Sequence, residues 1–330
     1  MMIARFLTAL ALTLIANVAA ANCAGSDLRP GLSAEERAEL DTRVAATPYP
    51  NGNYWTATRG AQTIHVIGTI HLDDPRLAPM LDVITPVIQS ANLLLVEATQ
   101  DEQAKLEKAI TTRPELLFLT AAPTLPQLMP EDDWLALVQA AKDRGLPAFM
   151  VAKFQPWYLS LMLSMPGCLI QQMATGLHGF DHQIMDVAAQ ANITQRSLEP
   201  YDTLFKLMGR ETLERQIEYL SLGIMSNEAS EDGLATLKQS YFEEKPAEVF
   251  ETSRITARRF VDLPQAELDA LMDELMSTLL DERNLAWMPA IVSAPDGVTV
   301  LAVGAAHLPG ENGILNMLAN QGFALKRQSF

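Results

Sequence analysis

Two histidines in this chain each stand three residues beyond a glycine that closes an apolar, β-branched run. Gly68-Thr69-Ile70-His71 follows Ile64-His65-Val66-Ile67, and Gly304-Ala305-Ala306-His307 follows Val298-Thr299-Val300-Leu301-Ala302-Val303. Short β-branched runs bounded by turn residues read as buried strands. A glycine leaving such a strand permits a tight turn, so each histidine falls just past the strand's carboxyl end. In open α/β sheets, ligands and catalytic groups collect at that edge. One G-x-x-H arises easily by chance. Two in matching contexts, more than two hundred residues apart, require a sheet whose edge is shared by distant parts of the chain.

The rest of the chain fits such a sheet. Residues 22–50 read as an irregular leader with one helix, Ser33 to Val44, opened by a Ser33-x-x-Glu36 capping box. Pro48, Pro50 and Asn51-Gly52 mark a break. Tyr54 to Thr58, the turn Arg59-Gly60 and Gln62 to Ile67 form a predicted β-hairpin that ends in the first G-x-x-H. A helix over Pro75 to Ser90 and a strand over Asn92 to Glu97 follow, then helices over 101–121 and 131–145. Residues 154–290 are mostly helical by periodicity, interrupted by a strand from Thr194 to Glu199 behind a helix from Asp181 to Ala191. The chain ends with strand 298–303, the second G-x-x-H, a helix from Gly310 to Asn320 and a strand from Phe323 to Arg327. That order repeats the opening plan. The expected fold is α/β in a single domain, residues 22–330, whose two related β-hairpin/helix/strand halves form a central mixed sheet. A mostly helical insertion, about 101–290, separates the halves.

Residues 1–21 stand outside this plan. Arg5, the apolar stretch Phe6 to Ile15 and the small residues Val18 to Ala21 read as a secretory signal peptide cleaved after Ala20 or Ala21. No later stretch is long and apolar enough to span a bilayer, so the expected location is secreted or periplasmic. Removing Arg5 takes the formal charge from −16 to −17, which disfavours nucleic acid and anionic membrane surfaces as partners. In an oxidising compartment the two cysteines, Cys23 and Cys168, are expected to pair. A lipid anchor on Cys23 is the rival reading, and Asn22 before it argues against that.

Five histidines are present: His65, His71, His178, His182 and His307. His65 lies within a strand and reads as structural. His178 and His182 flank a helix start, where solvated or capping roles suffice. His71 and His307 keep different company. Glu97 and Glu199 each finish a strand, and a carboxylate there is costly to desolvate unless paired or bound to a cation. Parallel strands would bring His71, Glu97, Glu199 and His307 to one edge. Two imidazoles and two carboxylates suit Zn, Mn, Fe or Co. Arg283-Asn284 precedes Trp287-Met288-Pro289 at what reads as the close of the last long helix. There Arg283 either complements the helix dipole or stabilises an oxyanion. The chain contains no H-E-x-x-H, no G-x-S-x-G and no Walker loop, which disfavours serine or cysteine nucleophiles.

With these residues in view, the chain resembles the TraB/GumN family, related to the Tiki proteins that act as metal-dependent proteases. The resemblance rests on Ile67-Gly68-Thr69-Ile70-His71-Leu72, Leu95-Val96-Glu97, Gly179-Phe180-Asp181, Leu198-Glu199, Arg283-Asn284-x-x-Trp287 and Val303-Gly304-Ala305-Ala306-His307-Leu308-x-Gly310. It implies His71, Glu97 and His307 as active-site residues, with Glu199, Arg283, Asn284 and Asp181 as further polar positions. The leading expectation is an exported metal-dependent hydrolase acting on a peptide or small molecule. His71, His307 and Glu97 or Glu199 would hold the divalent ion, the other glutamate would shuttle protons and Arg283 would take the oxyanion charge. One alternative is a metal-independent, esterase-like hydrolase with His71 as general base oriented by Glu97. Another is a non-catalytic protein that captures a metal complex or a peptide.

Overall fold

The computed structural model describes residues 23–174 and 176–330, and the signal peptide expected over 1–21 lies outside them. Six strands make one sheet: β1 (Tyr54–Arg59), β2 (Gln62–Thr69), β3 (Leu93–Val96), β4 (Thr194–Ser197), β5 (Gly297–Gly304) and β6 (Ala324–Arg327). Their order is β4-β3-β5-β2-β1-β6. β2, β5, β3 and β4 are mutually parallel, and β1 alone runs against both of its neighbours. Four carboxyl ends therefore lie on one edge, as the strand-end histidines and glutamates require.

The helices used below are α1 (Ala34–Ala46), α2 (Leu77–Ser90), α3 (Pro156–Ser164), α4 (Phe180–Gln190), α5 (Leu213–Leu222), α6 (Asn227–Phe242), α7 (Pro246–Ala257), α8 (Gln265–Met276), α9 (Glu282–Val292) and α10 (Ile314–Asn320). Period-two alternation sorts the central strands between two cores. Ile67, Val300 and Ala302 face one side with Ile84 and Ile88 of α2 and Phe180 and Ile184 of α4. Ile64, Val66, Leu301 and Val303 face the other with Trp287 of α9 and Leu315 and Leu318 of α10. Burial on both faces explains why β3 is an unbroken apolar run and β5 nearly one, interrupted by the buried Thr299. A third core, including Leu137, Phe154, Leu163 and Leu220, lies within the helical insertion.

The crossovers β2–α2–β3 and β5–α10–β6 leave the central β2/β5 pair in opposite directions, with their helices on opposite faces. That makes the junction between β2 and β5 a topological switch point, where crevices form at strand carboxyl ends. The fold is the expected mixed α/β sheet with a mostly helical insertion. Some details differ from the sequence reading. The hairpin belongs to the first half alone, because β5 follows α9 directly and is flanked by two parallel strands. The helix expected over 101–121 ends at Thr112, stopped by Pro114.

The Ser33/Glu36 capping box opens α1 as predicted. Cys23 and Cys168 form a disulfide that ties the amino-terminal segment to the helical insertion. Among the described residues, no helix is long and apolar enough to cross a membrane.

Candidate active site

The two G-x-x-H motifs lie against each other at the switch point. A Cβ on Gly68 would stand 3.0 Å from the Ala305 Cα and 2.9 Å from Leu308 Cδ1, so only glycine fits there. Phe180 N donates to the Ile70 carbonyl at 2.9 Å, which docks the start of α4 on the first motif and brings Asp181 beside His71.

Glu97 is the common centre. Its Oε1 accepts from Gly304 N at 2.7 Å, and its Oε2 accepts from Arg283 Nη2 at 2.6 Å. The same Oε1 lies 4.0 Å from His71 Nε2 and 3.9 Å from His307 Nε2. Burial works against its charge, but His307, His71, Arg283 and the Gly304 N–H outweigh it and hold the carboxyl down to about 2.

His307 is buried at the end of a short turn after β5. Its Nδ1 is 2.7 Å from Asn284 Oδ1, while Asn284 Nδ2 donates to the carbonyls of His307 (3.2 Å) and Asn312 (2.9 Å). Those two donations fix which way the amide faces. Nδ1 therefore carries the ring proton, and Nε2 presents a lone pair. Burial lowers the basicity of His307 to about 4, with Glu97 opposing and Arg283 and His71 assisting.

His71 has the reverse character. Its side chain is 61% exposed to the cavity, its Nδ1 is 3.2 Å from Asp181 Oδ1, and Glu97 lies beyond its Nε2. Burial and the charge of Arg283 oppose protonation, but the contact with Asp181 and the charges of Asp181 and Glu97 raise it to about 9. Asp181 stays ionised below the usual carboxylate range. Burial opposes this, and contacts with His182 and His71 prevail.

Arg283 binds the cluster together. Nη2 donates to Glu97 and to Glu199 Oε1 (2.7 Å), and Nε donates to Glu199 Oε2 (3.0 Å). Nη1 donates to the Leu279 carbonyl (3.1 Å) and lies 3.3 Å from His307 Nε2. All five guanidinium N–H groups are engaged. Glu199 also accepts from Trp287 Nε1 at 3.1 Å. Arg283 does not close a helix, contrary to expectation. It lies in the first turn of α9, after a π-helical turn at Ser277–Asp281 that joins α8 to α9. Single π turns recur at functional sites, because the added residue re-aims the side chains that follow.

Every residue singled out from the sequence (His71, Glu97, Asp181, Glu199, Arg283, Asn284 and His307) thus falls in one cluster. A cavity of about 330 Å³ opens beside it, lined by His71, Glu97, Asp181, Glu199, His182 and Gln103 among others. His182, read as a capping or solvated residue, lies on the cavity wall with its Nδ1 3.3 Å from Asp181 Oδ2. Its adjacency to Asp181 was the only available signal. Asp181, not Glu97, contacts the Nδ1 of His71.

Among the described residues, no three His, Cys, Asp or Glu side chains stand close enough as placed to hold a metal ion. The donor set nonetheless has the right chemistry for one. Both imidazoles aim Nε2 at one carboxylate oxygen and tie Nδ1 to an oxygen acceptor, as metal-ligating histidines do.

The fold and this edge-of-sheet cluster define a class that comparison with known proteins makes specific. The sequence model of the TraB/PrgY/gumN family matches residues 53–327, and the chain belongs to that family. It is similar to the uncharacterized protein YbaP of Escherichia coli (strain K12), with 23% identity over 278 residues, 81% of this chain and 94% of YbaP. The YbaP of Shigella flexneri matches to the same extent, 23% over 278 residues.

Proposed function

We propose that the protein is an exported metal-dependent hydrolase acting on peptides. One observation carries this reading: the histidines of both motifs converge, Nε2 first, on a single Glu97 oxygen at 4.0 and 3.9 Å. His71, His307 and Glu97 would hold a divalent ion, and mixed nitrogen and oxygen donors suit Mn, Co, Zn or Fe. When bound, such an ion supplies Lewis acidity toward a carbonyl and acidifies water. The relation of the TraB/GumN family to the Tiki proteins supports a peptide as substrate.

The chain's own residues divide the remaining work. Asn284 fixes the His307 tautomer so that its Nε2 keeps the lone pair, which faces Arg283 Nη1 at 3.3 Å and would have to be released from that contact to ligate. Asp181 orients His71, whose proton must leave before that nitrogen can ligate. Arg283 holds Glu97 and Glu199 in register. With five donors committed it has none for an oxyanion, so it acts as a positioning residue. Both Glu199 oxygens are taken by Arg283 and Trp287, so Glu199 is held as a structural partner of Arg283 rather than as a proton carrier.

The test is elemental analysis of protein purified without added metal, followed by peptide hydrolysis before and after chelation. His71→Ala and His307→Ala should each lose the metal and keep the fold. Full metal content in both variants refutes the assignment. The His71–Asp181 contact also supports a metal-independent reading in which His71 is the general base. Activity that survives exhaustive chelation and rises toward pH 9 would select it. Tight retention of a metal complex or peptide without turnover would favour a binding role.

A further inference from the structure

A second cavity lies in the helical insertion, walled by α3, α5, α6, α7 and α8. Its volume is about 440 Å³, within the roughly 300–1,000 Å³ of small-molecule sites. Leucine is the commonest residue of the wall, with Met208, Met225 and Met272 beside it. The lining residues Phe260 and Leu275 are exposed, so the cavity reaches solvent.

Three features narrow what could enter. First, most polar side chains of the wall are already bonded to protein. Ser160 and Ser164 donate to the Pro156 and Leu161 carbonyls, Thr256 to the Thr252 carbonyl and Tyr219 to Glu274. Arg210 is held by Glu282 and Thr278. A peptide backbone laid in this cavity would find few partners for its N–H and C=O groups, which makes it a costly occupant. Second, α6 carries a glycine, Gly233, facing open space: a Cβ there would meet nothing within 4 Å. Glycine is disfavoured inside a helix, and here its absent side chain leaves room in the cavity. Third, Gln216 donates through Nε2 to the Glu211 carbonyl at 2.8 Å, while its Oε1 is buried without a partner among the described residues. A buried amide oxygen calls for a donor.

We propose that this cavity binds a neutral single-chain amphiphile, one alkyl chain whose hydroxyl or amide N–H head donates to Gln216 Oε1. The chain fills the apolar space beside Gly233. Glu211 and Glu274 line the same cavity, and Arg210 is already neutralised by Glu282, so a carboxylate head is excluded.

Calorimetric titration of the full-length protein with alkan-1-ols, from octanol to dodecanol, tests this. Affinity should rise about fourfold per methylene until the space is filled, the fold-change of one buried CH₂. Dodecanol should bind about tenfold more tightly than dodecyl methyl ether, which has no donor. Gln216→Leu should erase that preference and leave ether binding unchanged. Gly233→Phe should abolish binding of both, and Leu271→Trp serves as the blocking variant if Gly233→Phe does not fold. A flat chain-length series, wild-type affinity in a folded blocking variant, or laurate binding more tightly than dodecanol would overturn the proposal.

Discussion

His71 and His307 hold the same place in the same motif, yet they have opposite chemical characters. His307 is 4% exposed, rests on a neutral carboxamide and is held neutral. His71 is 61% exposed, rests on a carboxylate and is held protonated. Strand and glycine deliver both rings to the shared edge. Burial and the group on Nδ1 then decide which ring carries charge. A site assembled from two like motifs thus holds one neutral ring and one protonated ring.

The largest way to break this contrast is to remove Arg283, which contacts His307 directly and reaches His71 only through its charge. Arg283→Ala leaves Glu97 and Glu199 without their cation and should cost about 3–5 kcal/mol of stability, read from chemical unfolding. The same variant should raise the His307 titration, read by NMR. Arg283→Lys should recover only part of the loss, because an ammonium cannot satisfy five acceptors.

Exchanging the Nδ1 partners tests the cause directly. Asn284→Asp should move the His307 titration up, and Asp181→Asn should move that of His71 down, each by roughly 1–3 pH units. If neither moves, burial alone sets the difference.

The two rings should also tilt stability against pH in opposite senses in ion-free protein. His307 is lowered from 6.5 to about 4, so the unfolded chain takes its proton first and stability falls as pH drops from about 6.5 to about 4. His71 is raised from 6.5 to about 9, so its contribution is complete below 6.5 and is lost as pH rises to about 9. Asp181→Asn should flatten the alkaline limb and leave the acid limb in place, as thermal unfolding across pH would reveal.

The smallest expected contrast lies in the motif glycines. Gly68→Ala forces a methyl group against Ala305 and Leu308 and should cost about 1–3 kcal/mol. Gly304→Ala meets only Glu97 Oε1 at 3.3 Å and His307 Cδ2 at 3.6 Å, so its loss should be the lesser of the two. Equal losses would show that the two turns are packed alike.

Much of this site was legible in the chain. Largely apolar runs marked β2, β3 and β5, Glu97 stood out as a charge following β3, and Glu199 followed the polar β4. Parallel pairing then had to bring them to the histidines. What could not be read was which polar groups would meet. Arg283 reaches partners 186, 84 and 24 residues away, and no local periodicity encodes those distances. The π turn before it also escaped, because one added residue barely disturbs an apolar stripe. Asp181 could be flagged, but its choice of His71 over a capping role depends on where α4 docks.

The sequence by itself determined which residues reach the shared edge, because strand, glycine turn and histidine are local instructions written in neighbouring side chains. Tertiary structure alone decided their protonation states and partners. Those depend on burial and on charges brought from distant segments, and neither quantity exists until the chain has folded.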